Sequence, residues 1–134
     1  MIVIDTNVLA YFVIPGNRSA AVEATRRRDP DWRAPALLRH EWLNVVTVGV
    51  RQLNYDRDAA LRYYNKGLSL IRFDESDPDP VRILNLHMAS GCSSYDCQFV
   101  DLARKLNTNL VTVDREVIRA FAFDVVRSLD EFIK

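Results

Sequence analysis

Four acidic residues fall where a carboxylate can do chemistry. Asp5 directly follows the apolar run "MIVI", and Asp114 directly follows the apolar run "LVTV". If those runs are strands of an open α/β sheet, both side chains emerge at its carboxyl edge, where the functional crevice of such sheets lies. Each Asp also reads as a helix N-cap. "DTN" at 5–7, however, supplies three oxygen-bearing side chains at one turn, where most caps need one. Glu41 sits in the long amphipathic stretch 35–53. At ~100° per residue its apolar stripe runs through Leu38, Trp42, Val45, Val46 and Gly49. Glu41 lies on the border of that stripe, where a carboxylate needs a cation, a donor or a metal as partner. A surface Glu with its stem on the core is the alternative.

The stretch "SGCSSYDCQFVDLA" at 90–103 brings two more aspartates. On a helix over 94–107 the buried stripe is expected at Tyr95, Phe99, Leu102, Ala103 and Leu106. Asp96 lies roughly 60° from its centre, at the margin, and Asp101 roughly 160° away, facing water. Ser93 and Asp96 also have the S-x-x-D spacing of a capping box, which is compatible with a site at the helix start. Asp5, Glu41, Asp96 and Asp114, brought together uncompensated, would repel and raise one another's pKa values. Mg²⁺ or Mn²⁺, hard ions that favour carboxylate and water ligands, relieve this most simply. Such a centre suits phosphodiester hydrolysis, because the metal activates water and stabilises charge on the attacked phosphate.

The elements that would position these groups alternate. Strands are expected at 1–4, 32–35, 68–73, 110–113 and 123–128. Helices are expected from 6, over 19–28, 35–53, 56–68, 77–90 and 94–107, with Gly91 and Asn107 closing the last two. This order implies βαβ units and a parallel sheet of about five strands with both faces covered. No repeat or linker interrupts it, so one domain over 1–134 is expected.

Composition agrees with an ordinary globular chain: 49% hydrophobic, 27% charged and formally neutral. A neutral chain excludes a non-specific basic coat for nucleic acid, so any such contact uses local patches or metal ions. "TRRRD" at 25–29 is one patch, and a solvated helix end explains it as well. Cys92 and Cys97 form neither a CxxC motif nor a zinc-spaced group and are read as small buried hydrophobes in a reducing compartment. His40 and His87 have no triad-like neighbours. The first residues lack a basic leader, and Asp5 interrupts their apolar run, so a cytoplasmic protein without a membrane span is expected.

Taken together, "MIVIDTNVLAYFV", "HEWLNVV" and "SSYDCQFVDLARKLNTNLVTVDREV" resemble the PIN-domain ribonucleases, especially the VapC-type toxins of toxin–antitoxin pairs. The resemblance spans almost the whole chain. It implies a three-layer α/β/α fold with a central, mainly parallel sheet. It implies a Mg²⁺- or Mn²⁺-dependent endoribonuclease acting on tRNA, ribosomal RNA or mRNA. Asp5 and Asp96 would be core metal ligands, and Glu41 and Asp114 would complete the site directly or through water. Thr6, Asn7 and Thr112 fall at the accompanying small polar positions. Arg115 could contact a substrate phosphate, and a solvent-facing or helix-capping role explains it as well. The resemblance also implies a homodimer and a separate antitoxin, for which "VLAYFVIPG" and "LRYYNKGL" offer apolar surface. Two other readings compete. One is a non-catalytic RNA-binding or regulatory domain of the same fold. The other is a receiver-like phosphoacceptor, which would want adjacent N-terminal acids and a lysine after a late strand.

Overall fold

The computed structural model describes residues 1–16 and 19–134. Its strands are β1 (Ile2–Ile4), β2 (Trp32–Pro35), β3 (Ile71–Asp74), β4 (Leu110–Thr112) and β5 (Val126–Ser128). They form one sheet in the order β3-β2-β1-β4-β5, and every pair is parallel. Among the described residues the helices are α1 (Thr6–Val13), α2 (Ala20–Arg28), α3 (Leu37–Leu53), α4 (Arg57–Ser69), α5 (Pro80–Ser90), α6 (Ser94–Lys105), α7 (Arg115–Ala120) and α8 (Leu129–Ile133). Helices α1 to α4 and α8 contact one another, and α5 packs on α6. Right-handed crossovers place these two groups on opposite faces, because the chain moves one way from β1 to β3 and the other way from β3 to β5. The expected three-layer α/β/α architecture is therefore observed.

The core forms where the apolar runs meet. All of β1 and β4 is buried, with Val3 beside Leu110 and Ile4 beside Val111. Val22, Leu38 and Trp42 from one helix layer and Val100 from the other are buried with Trp32 of β2. The predicted stripe of α3 is correct: Leu38, Trp42, Val46 and Gly49 are buried and Val45 is half-buried. "VLAYFVIPG" and "LRYYNKGL" go mostly into packing; Tyr11 and Leu61 stay exposed.

Element ends differ modestly from expectation. Pro35 closes β2, so α3 starts at Leu37, and residues 68–69 finish α4 before β3 begins. Residues 121–125 are a turn, and β5 begins at Val126. The expected closures hold. Gly91 ends α5 at φ 75°, and Asn107, just past α6, adopts φ 52°. Both are left-handed conformations that Gly and Asn tolerate.

Candidate active site

The sheet reverses its winding between β1 and β4, and α/β ligands bind at such switch points. A cleft of about 590 Å³ opens there. Asp5, Glu41, Asp96 and Asp114 all line it, together with Thr6, Asn7 and Thr112.

Asp5 and Asp114 reach it because each caps the helix that follows its strand. Asp5 Oδ1 accepts from Val8 N at 2.9 Å; Asp114 Oδ1 accepts from Glu116 N at 2.9 Å and Val117 N at 3.2 Å. The capping reading and the site reading are thus both true, and the capping bonds fix the carboxylates at the cleft. Buried Thr112 ties the pair together. Its hydroxyl donates to Asp5 Oδ2 and accepts from Asp114 N at 3.0 Å. Buried Thr6 donates to Glu41 Oε1 at 2.9 Å, holding the α3 carboxylate over β1. Asp96 enters from the first turn of α6, whose cap is Ser93; the Asp96 N–H reaches Ser93 Oγ at 3.1 Å.

The electrostatics are those of crowded, uncompensated acids. Burial pushes Asp5 up to about 6, and the charges of Asp114 and Glu41 add to this; the bonds from Thr112 and Val8 oppose it. Glu41 is raised by burial and by Asp96, against the Thr6 hydroxyl. Asp96 is raised by burial, then by Asp114 and Glu116. No Lys or Arg among the described residues lines the cleft. Among the described residues, no three His, Cys, Asp or Glu side chains stand close enough to hold a metal ion as placed. The donor set is nonetheless all oxygen and anionic, which fits a hard divalent cation.

Several residues differ from expectation. Tyr95 is not core: it is 58% exposed and lines the cleft. Leu106 is only half-buried. Asp101 does not face water. It pairs with Arg82 of α5 at 2.9 Å, because α5 packs over that face of α6. Arg115 is exposed beside Asp114 but is not part of the cleft lining. His40 and Asn44 do line it, at one residue before and three after Glu41 on α3. Glu116, two residues past Asp114, adds negative charge near Asp96. Helical spacing from Glu41 was the available signal for Asn44. Cys92 and Cys97 are free and buried, away from the cleft lining. His87 Nδ1 donates to the Cys92 carbonyl at 2.7 Å, a local structural bond. The arginines of "TRRRD" are largely engaged: Arg26 lies over the Trp32 ring, and Arg28 over Phe132.

Residues 2–123 match the PIN domain family, and the chain belongs to it. PIN domains are generally nucleases. Among solved structures, PAE2754 from Pyrobaculum aerophilum is similar at 21% identity and a TM-score of 0.76, over 98% of this chain and 92% of that one. FitAcB from Neisseria gonorrhoeae is similar at 17% identity and a TM-score of 0.72, over 96% of this chain and 98% of that one. These likenesses show the fold. No sequence among curated proteins matches the chain significantly.

Proposed function

We propose that this protein is a metal-dependent endoribonuclease, the toxin of a toxin–antitoxin pair, acting as a single PIN domain over residues 1–134. The observation that carries the reading is the meeting of four carboxylates from four segments in one cleft that, among the described residues, no lysine or arginine lines. Mg²⁺ or Mn²⁺ would be held by Asp5 and Asp96, with Glu41 and Asp114 completing the site. When bound, such an ion makes water nucleophilic near neutral pH and stabilises charge on the attacked phosphate. Thr112 and Thr6 orient Asp5 and Glu41, as hydrogen-bonding neighbours of metal ligands do. Asn7, exposed at the cleft, offers an amide to water or phosphate. Arg115, exposed just outside the lining, would meet a phosphate of the entering strand.

The substrate is RNA: a tRNA, a ribosomal RNA or an mRNA. A homodimer, an antitoxin partner and a cytoplasmic setting complete the reading. Among the described residues no helix is long and apolar enough to cross a membrane. The non-catalytic RNA-binding alternative draws on one observation: no three ligating side chains close up as placed.

Cleavage of total cellular RNA by the purified protein decides between them. Wild type should cut with Mg²⁺ or Mn²⁺ and stop in excess chelator; Asp5→Asn and Asp96→Asn should lose activity by at least about a hundredfold. Undiminished cleavage by Asp96→Asn would overturn the assignment. Binding without cleavage across metals would support the alternative. Growth arrest on expression, relieved by a co-expressed neighbouring gene product, tests the toxin role.

A further inference from the structure

Beside the acidic cleft lies a second one of about 990 Å³. It is walled by α5, the C-terminal half of α6, the end of α7 and the turn that follows. Its lining holds four cations, Arg82, Arg104, Lys105 and Arg119, against two acids, Asp101 and Asp124. Three of these cations are already paired, Arg82 with Asp79 and Asp101, Arg104 with Asp124, and Lys105 with Asp74. Arg119 is exposed and has no carboxylate partner among the described residues.

The turn also presents Phe123, which is 105% exposed, fully open to solvent. The other five phenylalanines of the chain are buried or half-buried. An unpacked aromatic ring beside a free guanidinium is the pairing that single-stranded nucleic acids use: bases stack on the ring and the cation meets a phosphate.

The same two helices contribute residues to both clefts. Helix α6 gives Asp96 and Phe99 to the acidic cleft and Asp101, Arg104 and Lys105 to the basic one. Helix α7 gives Val117 to the first and Arg119 to the second. Along α7, the rise from Asp114 to Arg119 is about 7.5 Å, and along α6 the rise from Asp96 to Arg104 is about 12 Å. At roughly 3.4 Å per stacked nucleotide this is on the order of two to four nucleotides. Without a cation the acidic cleft repels phosphate, so added grip on a polyanion is expected outside it.

We infer that the basic cleft is a subsite for the substrate strand: Arg119 contacts a phosphate and Phe123 stacks a base of single-stranded RNA whose neighbouring phosphodiester occupies the acidic cleft. This rests on the ribonuclease reading. The test measures binding of a fluorescein-labelled oligouridylate of about 12 nucleotides to Asp96→Asn protein, by anisotropy, over a range of salt. Adding Arg119→Ala and Phe123→Ala together should weaken binding at least about fivefold. Arg119→Ala alone should lower the slope of log affinity against log salt by about one. Phe123→Trp should keep binding, and its emission should be quenched by the oligonucleotide, since Trp32 and Trp42 are buried.

A smaller effect of the double substitution overturns the subsite, as does an unquenched Trp. If the double variant binds RNA normally but sediments as a smaller assembly, the cleft is a protein contact and the inference is also overturned. Wild-type cleavage combined with unchanged double-variant binding removes the subsite alone. Absence of both binding and cleavage removes the ribonuclease reading with it.

Discussion

Asp5 keeps its proton up to about pH 6, against 3.8 for an ordinary aspartate. Between those values the folded chain binds the proton more tightly than the unfolded chain. Stability therefore falls as pH rises through that window, and the full penalty is present above about pH 6. Two units correspond to about 3 kcal/mol, less where the carboxyl opens to the cleft. Asn can keep the cap on α1 without the charge. In chelator, Asp5→Asn should stabilise the protein by about 1–2 kcal/mol at pH 8 and by nearly nothing at pH 4. Urea unfolding at both values checks this, and a destabilised variant at pH 8 would contradict it. Asp101→Asn removes one of the two carboxylate partners of Arg82 and leaves Asp79, so it should lower stability only slightly at neutral pH, read by the same method. At this scale the sequence was informative for Asp5 and Asp114, because an acid after an apolar strand has few places to go. It was less so for Tyr95 and Asp101. Their orientation on an ideal helix was computable, but which neighbour covers each face depends on α5.

Glu41 is positioned by the packing of α3 on α4. Trp42, its neighbour, lies against Gly67 of α4, whose missing side chain makes room for the indole ring; its Nε1 donates to the Tyr64 carbonyl at 3.1 Å. A Cβ at Gly67 would stand 2.5 Å from Trp42 Cε2. Gly67→Ala should therefore destabilise by about 1–3 kcal/mol despite the better helix propensity of alanine. Thermal unfolding measures it, and a stabilised variant would show that α3 moves aside freely. The long elements were legible because α3 and α6 repeat their apolar pattern over several turns. Helices α7 and α8, six and five residues long, leave no periodic pattern in the sequence. So short a segment has no period to detect, and its helicity comes from caps and tertiary contacts. Asp114 caps the first and Ser128 the second, in a capping box with Glu131.

The whole molecule separates its charge although the chain is formally neutral. Acids gather at the switch point of the sheet, and cations gather along the neighbouring cleft. Composition gave only the sum; the fold decides the distribution, which is why a neutral chain remains compatible with a polyanionic substrate. The order of strands and helices made the parallel sheet expected. The adjacency of β1 and β4, on which the acidic cleft depends, required the topology. The central claim is that the four carboxylates form one divalent-metal centre. Mn²⁺ titration followed by electron paramagnetic resonance tests it most directly, comparing wild type with Asp5→Asn, Glu41→Gln, Asp96→Asn and Asp114→Asn at neutral pH. The account predicts saturable binding by wild type, weakened at least about tenfold by Asp5→Asn and by Asp96→Asn, with smaller losses for the other two. Mn²⁺ binding that is absent from wild type, or that persists unchanged in Asp5→Asn and Asp96→Asn, would contradict it.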